Sequence, residues 1–231
     1  MKFDIFEQVL EARTQRKAVA LVTELANGTQ RVVARDHAAD DILAHVLDEA
    51  FRFDRSGVHK VPEGEFFVHI YNPALRLVII GAVHIAQAVI PIAKAAGYDV
   101  VVVDPRGAFA TGARFPDITL LAEWPDEVLP KLDLDQRTGI LALTHDPKID
   151  DPSLHLALRS KVFYIGALGS KKNQAARGQR LMGAGFSEAD IARIHGPIGL
   201  NIGAQGAPEI AISIMAEVTR VLRLGSANEV R

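Results

Sequence analysis

The chain has 231 residues, 48% of them hydrophobic and 23% charged, with a formal net charge of −2 and no cysteine. That is enough apolar material for one large or two modest domains. The charge balance excludes general attraction to nucleic acid or to anionic membranes, and the missing cysteines exclude disulfides and thiolate metal sites.

The first residues, Met1-Lys2-Phe3-Asp4, lack the apolar stretch of a signal peptide. The longest apolar runs, such as Leu77 to Val83, are too short to span a bilayer. A cytoplasmic protein is expected. Phe3, Phe6, Val9 and Leu10 recur at helical spacing, which predicts an amphipathic helix over residues 3–17. Two β-rich runs, 18–25 and 29–34, flank Asn27-Gly28, a pair suited to the positive φ angles of a hairpin turn. A second helix carries Ile42, Leu43, Val46, Leu47, Ala50 and Phe51 on one side. Gly57 breaks the pattern before a strand at 65–71, so residues 1–72 read as a small α+β domain.

From Leu75 the pattern changes. Short apolar strands at 75–80, 100–103, 118–121, 139–143 and 162–165 alternate with helical stretches near 84–96, 126–131, 152–160 and 170–184. A last amphipathic helix covers 207–223. Strands without polar alternation are buried on both faces, as in a parallel sheet covered by helices. Residues 73–231 therefore read as an α/β, doubly wound, Rossmann-like domain.

The first strand of that domain runs into Gly81-Ala82-Val83-His84, where dinucleotide folds place a pyrophosphate against a helix N-terminus. The second glycine of that turn is replaced by Val83, whose Cβ crowds a pyrophosphate, so NAD(P) is a weak expectation. Asp104 follows the second strand and has two readings. It either takes a ribose hydroxyl, or it caps the turn Asp104-Pro105-Arg106-Gly107 and pairs with Arg106.

Three later loops should reach the same sheet edge. Thr144-His145-Asp146 offers a hydroxyl, an imidazole and a carboxylate; the plain alternative is a capped loop, with Asp150 or Asp151 opening the next helix. Gly166-Ala167-Leu168-Gly169-Ser170-Lys171-Lys172 ends a strand in a glycine turn with Ser170 at an N-cap, a good cradle for an anion. Arg177 and Arg180 further along read as a solvated basic face. Gly196, Gly199 and Gly203 around Pro197 mark a defined loop that backbone approaches closely, against a ligand or against another loop. The eight histidines show no metal-ligand spacing, and no nucleophile elbow appears.

Taken in order, Gly81-Ala82-x-His84, Asp104-x-Arg106, Arg114-Phe115-Pro116, Thr144-His145-Asp146, Asp150, Tyr164 to Ser170, Pro197 to Gly203 and Glu209 to Glu217 resemble the XdhC/CoxI family. Members of that family act as maturation factors of xanthine dehydrogenase and related molybdenum hydroxylases. The resemblance covers about residues 75–223. It implies a Rossmann-like domain that binds molybdenum cofactor (molybdopterin) and delivers it to a hydroxylase apoenzyme, a chaperone rather than an enzyme with its own turnover. The expected cofactor contacts are Gly81, His84, Asp104, Arg106, Thr144, His145, Asp146, Gly166, Gly169, Ser170, Lys171 and Gly199. Two departures stand out. Val83 replaces a family glycine, and residues 1–72 carry neither the Gly-Ser-Ser nor the Gly-Gly-Cys stretch usual in the family's N-terminal domain. A separate short polypeptide supplying those motifs is therefore expected as a partner, together with a sulfur-donating desulfurase and oligomerisation. The alternatives are an NAD(P)-dependent oxidoreductase and a ligand-free scaffold for apoenzyme maturation.

Overall fold

The computed structural model of the chain describes residues 2–225. They fall into two compact units, divided between Pro73 and Ala74. The first holds helices α1 (Phe3–Thr14) and α2 (Ala44–Phe53) and strands β1 (Val19–Glu24), β2 (Gln30–Ala34), β3 (Gly57–Val61) and β4 (Gly64–Tyr71). The strands make an antiparallel sheet in the order β2-β1-β4-β3. Its core gathers Ala20, Val22, Leu43, Leu47, Phe51, Phe66 and Val68. Strand β3 is not announced by the sequence pattern. Its residues alternate between half-buried and exposed, and Val58 and Lys60 face water, so it lacks the apolar signature of an interior strand.

The second unit carries β5 (Arg76–Ile80), α3 (His84–Ala95), β6 (Asp99–Val103), β7 (Thr119–Leu121), α4 (Pro125–Val128) and β8 (Thr138–Ala142). It continues through α5 (Pro147–Arg159), β9 (Tyr164–Ala167), α6 (Lys171–Gly183), α7 (Glu188–Ile191), β10 (Ile194–His195) and α8 (Ala207–Leu224). All six strands pair in parallel, in the order β10-β9-β8-β5-β6-β7. The period-2 pleat divides their side chains cleanly. Leu77, Ile79, Val100, Val102 and Leu141 pack under α3 and α8, against Val89, Ile214 and Val218. Val78, Ile80, Val101, Val103, Ile140 and Ile165 face the other way, against Ile149, Leu154, Ala157 and Leu181. Two-sided burial explains the unbroken apolar runs, and each fully buried Val, Leu or Ile contributes about 1.5–3 kcal/mol.

Several boundaries shift from those the sequence predicts, among them the end of α1 at Thr14 and the placement of β9 at Tyr164–Ala167, and two of the shifts have a clear cause. Helix α5 starts at Pro147, five residues earlier than the pattern suggests, with Asp146 as its cap. Pro152 sits inside this helix, where proline is normally a first-turn residue and so misleads. Around residue 130 the helix is split: α4 ends at Val128 and a 3-10 turn covers Leu129–Leu132, because Pro130 has no amide to continue the ladder.

Candidate functional site

In this strand order β5 and β8 are neighbours whose connections lead to opposite sides of the sheet. The topological switch point therefore falls at their carboxyl ends, the edge at which open α/β sheets bind ligands. The two loops abut there. Gly81 has φ +112, and a Cβ on it would lie 2.7 Å from Thr144 Cγ2, so both its conformation and its neighbour demand glycine. Val83 holds the N-cap of α3 in extended conformation and makes no side-chain cap, and His84, the first helical residue, is exposed. The positive end of α3 thus faces the rim without a capping carboxylate or hydroxyl.

Asp104 resolves to the second of its two readings. Its side chain is fully buried, Oδ2 accepts from the Ala82 amide and Arg106 Nη2 (both 2.7 Å), and Oδ1 accepts from the Arg106 amide and Nε (both 2.9 Å). Four bonds fill its lone-pair sites, leaving no acceptor for a ribose hydroxyl. Burial pushes the carboxyl pKa up, but the Arg106 and Ala82 donors outweigh it and hold Asp104 below the ordinary 3.8. Arg106 lies over the half-exposed Phe109 ring at 4.8 Å, and Arg114 approaches the same ring at 6.0 Å.

On the β8 side of the switch point a second buried aspartate, Asp150, reaches back from the first turn of α5. It accepts from Thr144 Oγ1 (2.7 Å), the Thr144 amide (3.3 Å) and the His145 amide (3.1 Å). Its expected role as a helix cap is taken by Asp146, which accepts from the Lys148 amide at 2.9 Å. His145 adopts φ +64, uncommon for a residue with a Cβ, and its side chain is exposed.

Arg177 corrects the reading of a solvated basic face. It is buried, 5% exposed, and lies 3.8 Å from Asp150. Its Nη2 donates to the Leu168 carbonyl (3.0 Å) and its Nη1 to Gln174 Oε1, while Nε has no partner. Burial pushes Arg177 down from its ordinary pKa and Asp150 up, the Asp150 charge opposing the first and the Thr144 hydrogen bonds the second. Arg180 remains more exposed and pairs with Asp151. His145, Pro147, Asp150, Asn173, Ala176, Arg177 and Arg180 wall a cleft of about 150 Å³. Helical spacing carried a signal for Arg177. Ser170, Asn173 and Arg177 stand at i, i+3 and i+7, so the cap and the arginine share one face of α6.

At the start of α6, Gly169 has φ +134 and Ser170 caps the helix through the Asn173 amide at 3.3 Å. Lys171 and Lys172 follow, exposed, in a first turn with no acidic residue. Two expected contacts turn out to be packing positions. Gly166 lies within β9 under Ile198, whose Cδ1 would be 2.5 Å from a Cβ. Gly199 abuts Ser213 on α8 and donates to Glu217 at 2.8 Å. Glu217, which residue type and position alone do not single out, also accepts from Tyr164 at 2.7 Å and lies 3.5 Å from His195. Burial alone would raise its pKa, but the His195, Tyr164 and Gly199 donors keep it low. Among the described residues no group of three or more His, Asp or Glu is placed to hold a metal ion.

Residues 77–218 match the model of the XdhC Rossmann domain. The chain belongs to the XdhC family. Its XdhC-type half is 32% identical over 151 residues to the molybdenum cofactor insertion chaperone PaoD of Escherichia coli, covering 65% of this chain and 41% of that one. It is 29% identical over 153 residues to a probable xanthine dehydrogenase subunit from Bacillus subtilis, 66% of this chain and 44% of the relative. The uncharacterized protein YqeB of Escherichia coli matches at 32% over 157 residues, 67% of this chain and 29% of its own length. The chain thus spans less than half the length of these curated relatives. A crystal structure described as a xanthine dehydrogenase from Bacillus halodurans superposes with a TM-score of 0.66 at 27% identity, over 97% of this chain and 65% of that one. Of the described helices, none is long and apolar enough to cross a membrane.

Proposed function

We propose that this XdhC-type chain is a maturation factor that holds molybdenum cofactor at the carboxyl rim of its parallel sheet and passes it to a molybdenum hydroxylase. The observation that carries the reading is the set of anion-suited groups along the carboxyl edge of the sheet: the uncapped positive end of α3 after β5, and, after β9, the α6 start with Ser170 and Lys171 and the under-satisfied Arg177. The names of PaoD and of the Bacillus subtilis relative give it support. These residues fit the phosphate end of such a cofactor. With no cysteine, the chain offers no thiolate to its metal end. When bound, the cofactor supplies the redox centre that the client enzyme uses. His84, Arg106, Thr144, His145, Asp146, Gly169, Ser170 and Lys171 bind and orient, while Gly81 and Asp104 shape the rim from beneath.

The nicotinamide reading is favoured by the sheet order, yet Asp104 has no acceptor left for a ribose and Val83 crowds the turn. Purification from a cofactor-producing host, followed by denaturation, oxidation and pterin fluorescence, tests the proposal. Near-stoichiometric pterin is expected. Pterin-free protein that instead binds NADH or NADPH tightly in calorimetry overturns it.

A further inference from the structure

We infer that the cleft walled by Arg177 seats a phosphate or diphosphate group, with buried Arg177 rather than the surface lysines as its anchor. This rests on the cofactor-holding reading and places the cofactor's phosphate end within it. Donors outnumber acceptors here. A guanidinium carries five N–H donors. For Arg177 the structure provides the Leu168 carbonyl and Gln174 Oε1, and Nε has no partner although the side chain is only 6% exposed. Asp150 does not close the gap. It stands 3.8 Å away, beyond hydrogen-bond distance, and its oxygens are turned to Thr144 and the His145 amide. An under-satisfied cation held out of water is unfavourable, and an oxyanion with acceptors on every side relieves it.

Size and position agree. At about 150 Å³ the cleft far exceeds the ~10–15 Å³ that one water needs and falls short of the ~300 Å³ where whole-ligand pockets begin, so it suits a group rather than a molecule. Asn173, on the same wall, lies in the first turn of the 13-residue helix α6, whose positive end adds to the field. Arg180 is already paired with Asp151. Lys171 and Lys172 stay in water, where screening makes their hold on an anion weaker than that of a buried guanidinium.

The test uses the intact chain, inorganic pyrophosphate, and the Arg177 Nε–Hε NMR signal, assigned through Arg177→Lys. A saturable shift of that signal is expected. Ala176→Glu brings a carboxylate to the cleft wall from an exposed helical position and should weaken pyrophosphate about ten-fold or more, whereas Ala176→Gln should stay close to wild type. No binding, binding that leaves the Arg177 signal unmoved, or equal affinity in Ala176→Glu overturns the inference. Pterin content separates the two readings. If Ala176→Glu carries as much pterin as wild type, the cleft assignment falls and the holding role stands. If wild type carries none yet binds pyrophosphate at Arg177, the holding role falls and the anion seat stands.

Discussion

The two sides of the rim each bury an aspartate behind a loop, and they treat it differently. Asp104 is gripped by Arg106 through three hydrogen bonds at 2.7–2.9 Å, and its pKa is held down. Asp150 sits 3.8 Å from Arg177 with no direct bond between them, and burial pushes its pKa up. Proximity of opposite charges is therefore a poor guide to satisfaction; geometry decides whether an arginine's donors are occupied or left over. On one side the ion pair is structural. On the other it leaves a cation with unfilled donors beside a cleft.

The largest expected effect breaks the first side. Asp104→Ala leaves the buried Ala82 amide without its acceptor while Arg106, 35% exposed, can turn to water, and it should cost about 3 kcal/mol in denaturant unfolding at neutral pH, the upper end of the range for an orphaned buried donor. An undiminished midpoint would mean that water replaces the carboxylate freely.

Acid titration sharpens the contrast, because the two aspartates work with opposite sign. Asp104 has a depressed folded pKa, so its stabilisation is present above its ordinary 3.8 and is lost as pH falls through the folded value. Asp150 has a raised folded pKa, so its contribution is full below 3.8 and is lost as pH rises through the folded value. The stability gap between wild type and Asp104→Asn should narrow toward acid. The gap for Asp150→Asn should move in wild type's favour toward acid. Parallel pH curves for the two variants would remove the distinction.

The join between the sides gives the next effect. Gly81→Ala meets the Thr144 methyl at 2.7 Å and strains a φ of +112, so a loss of about 1–3 kcal/mol is expected. Thr144→Ser in the same chain should recover the steric part but not the backbone part, as a double-mutant cycle would read. Smallest in stability is Ser170→Ala with Lys171→Ala. The lost cap should cost about 0.5–1 kcal/mol, while affinity for pterin falls by about 1–3 kcal/mol if these groups touch an anion.

The second unit's fold was legible because two-sided burial writes itself as uninterrupted Val, Ile and Leu, as in Leu77–Ile80 and Val100–Val103. Edge elements were not. Strand β3 pairs on one side only and β10 has two residues, so neither needs an apolar run. At the rim, Ser170's capping position followed from residue type and place. Arg177's burial did not, since it depends on Asp150, 27 positions earlier, and on the Leu168 carbonyl. Asp104's two readings could be separated only by counting the donors that tertiary structure brings to it. Gly166 and Gly199 show the same limit: a glycine kept for close approach looks alike whether its neighbour is a guest or Ile198.

Glu217 ties three stretches of chain that are far apart in order: Tyr164 at the start of β9, His195 in β10 and the Gly199 amide beyond it. The carboxylate sits on α8, the last described helix, so the β9 flank of the sheet depends on a distant stretch of chain. A chain cut before residue 207 would keep all six strands yet lose both the cover over Ile79 and Val102 and the latch on the 196–203 loop. Shortening from that end would strip one face of the sheet at its central strands, even though no residue of the anion cleft would have been removed.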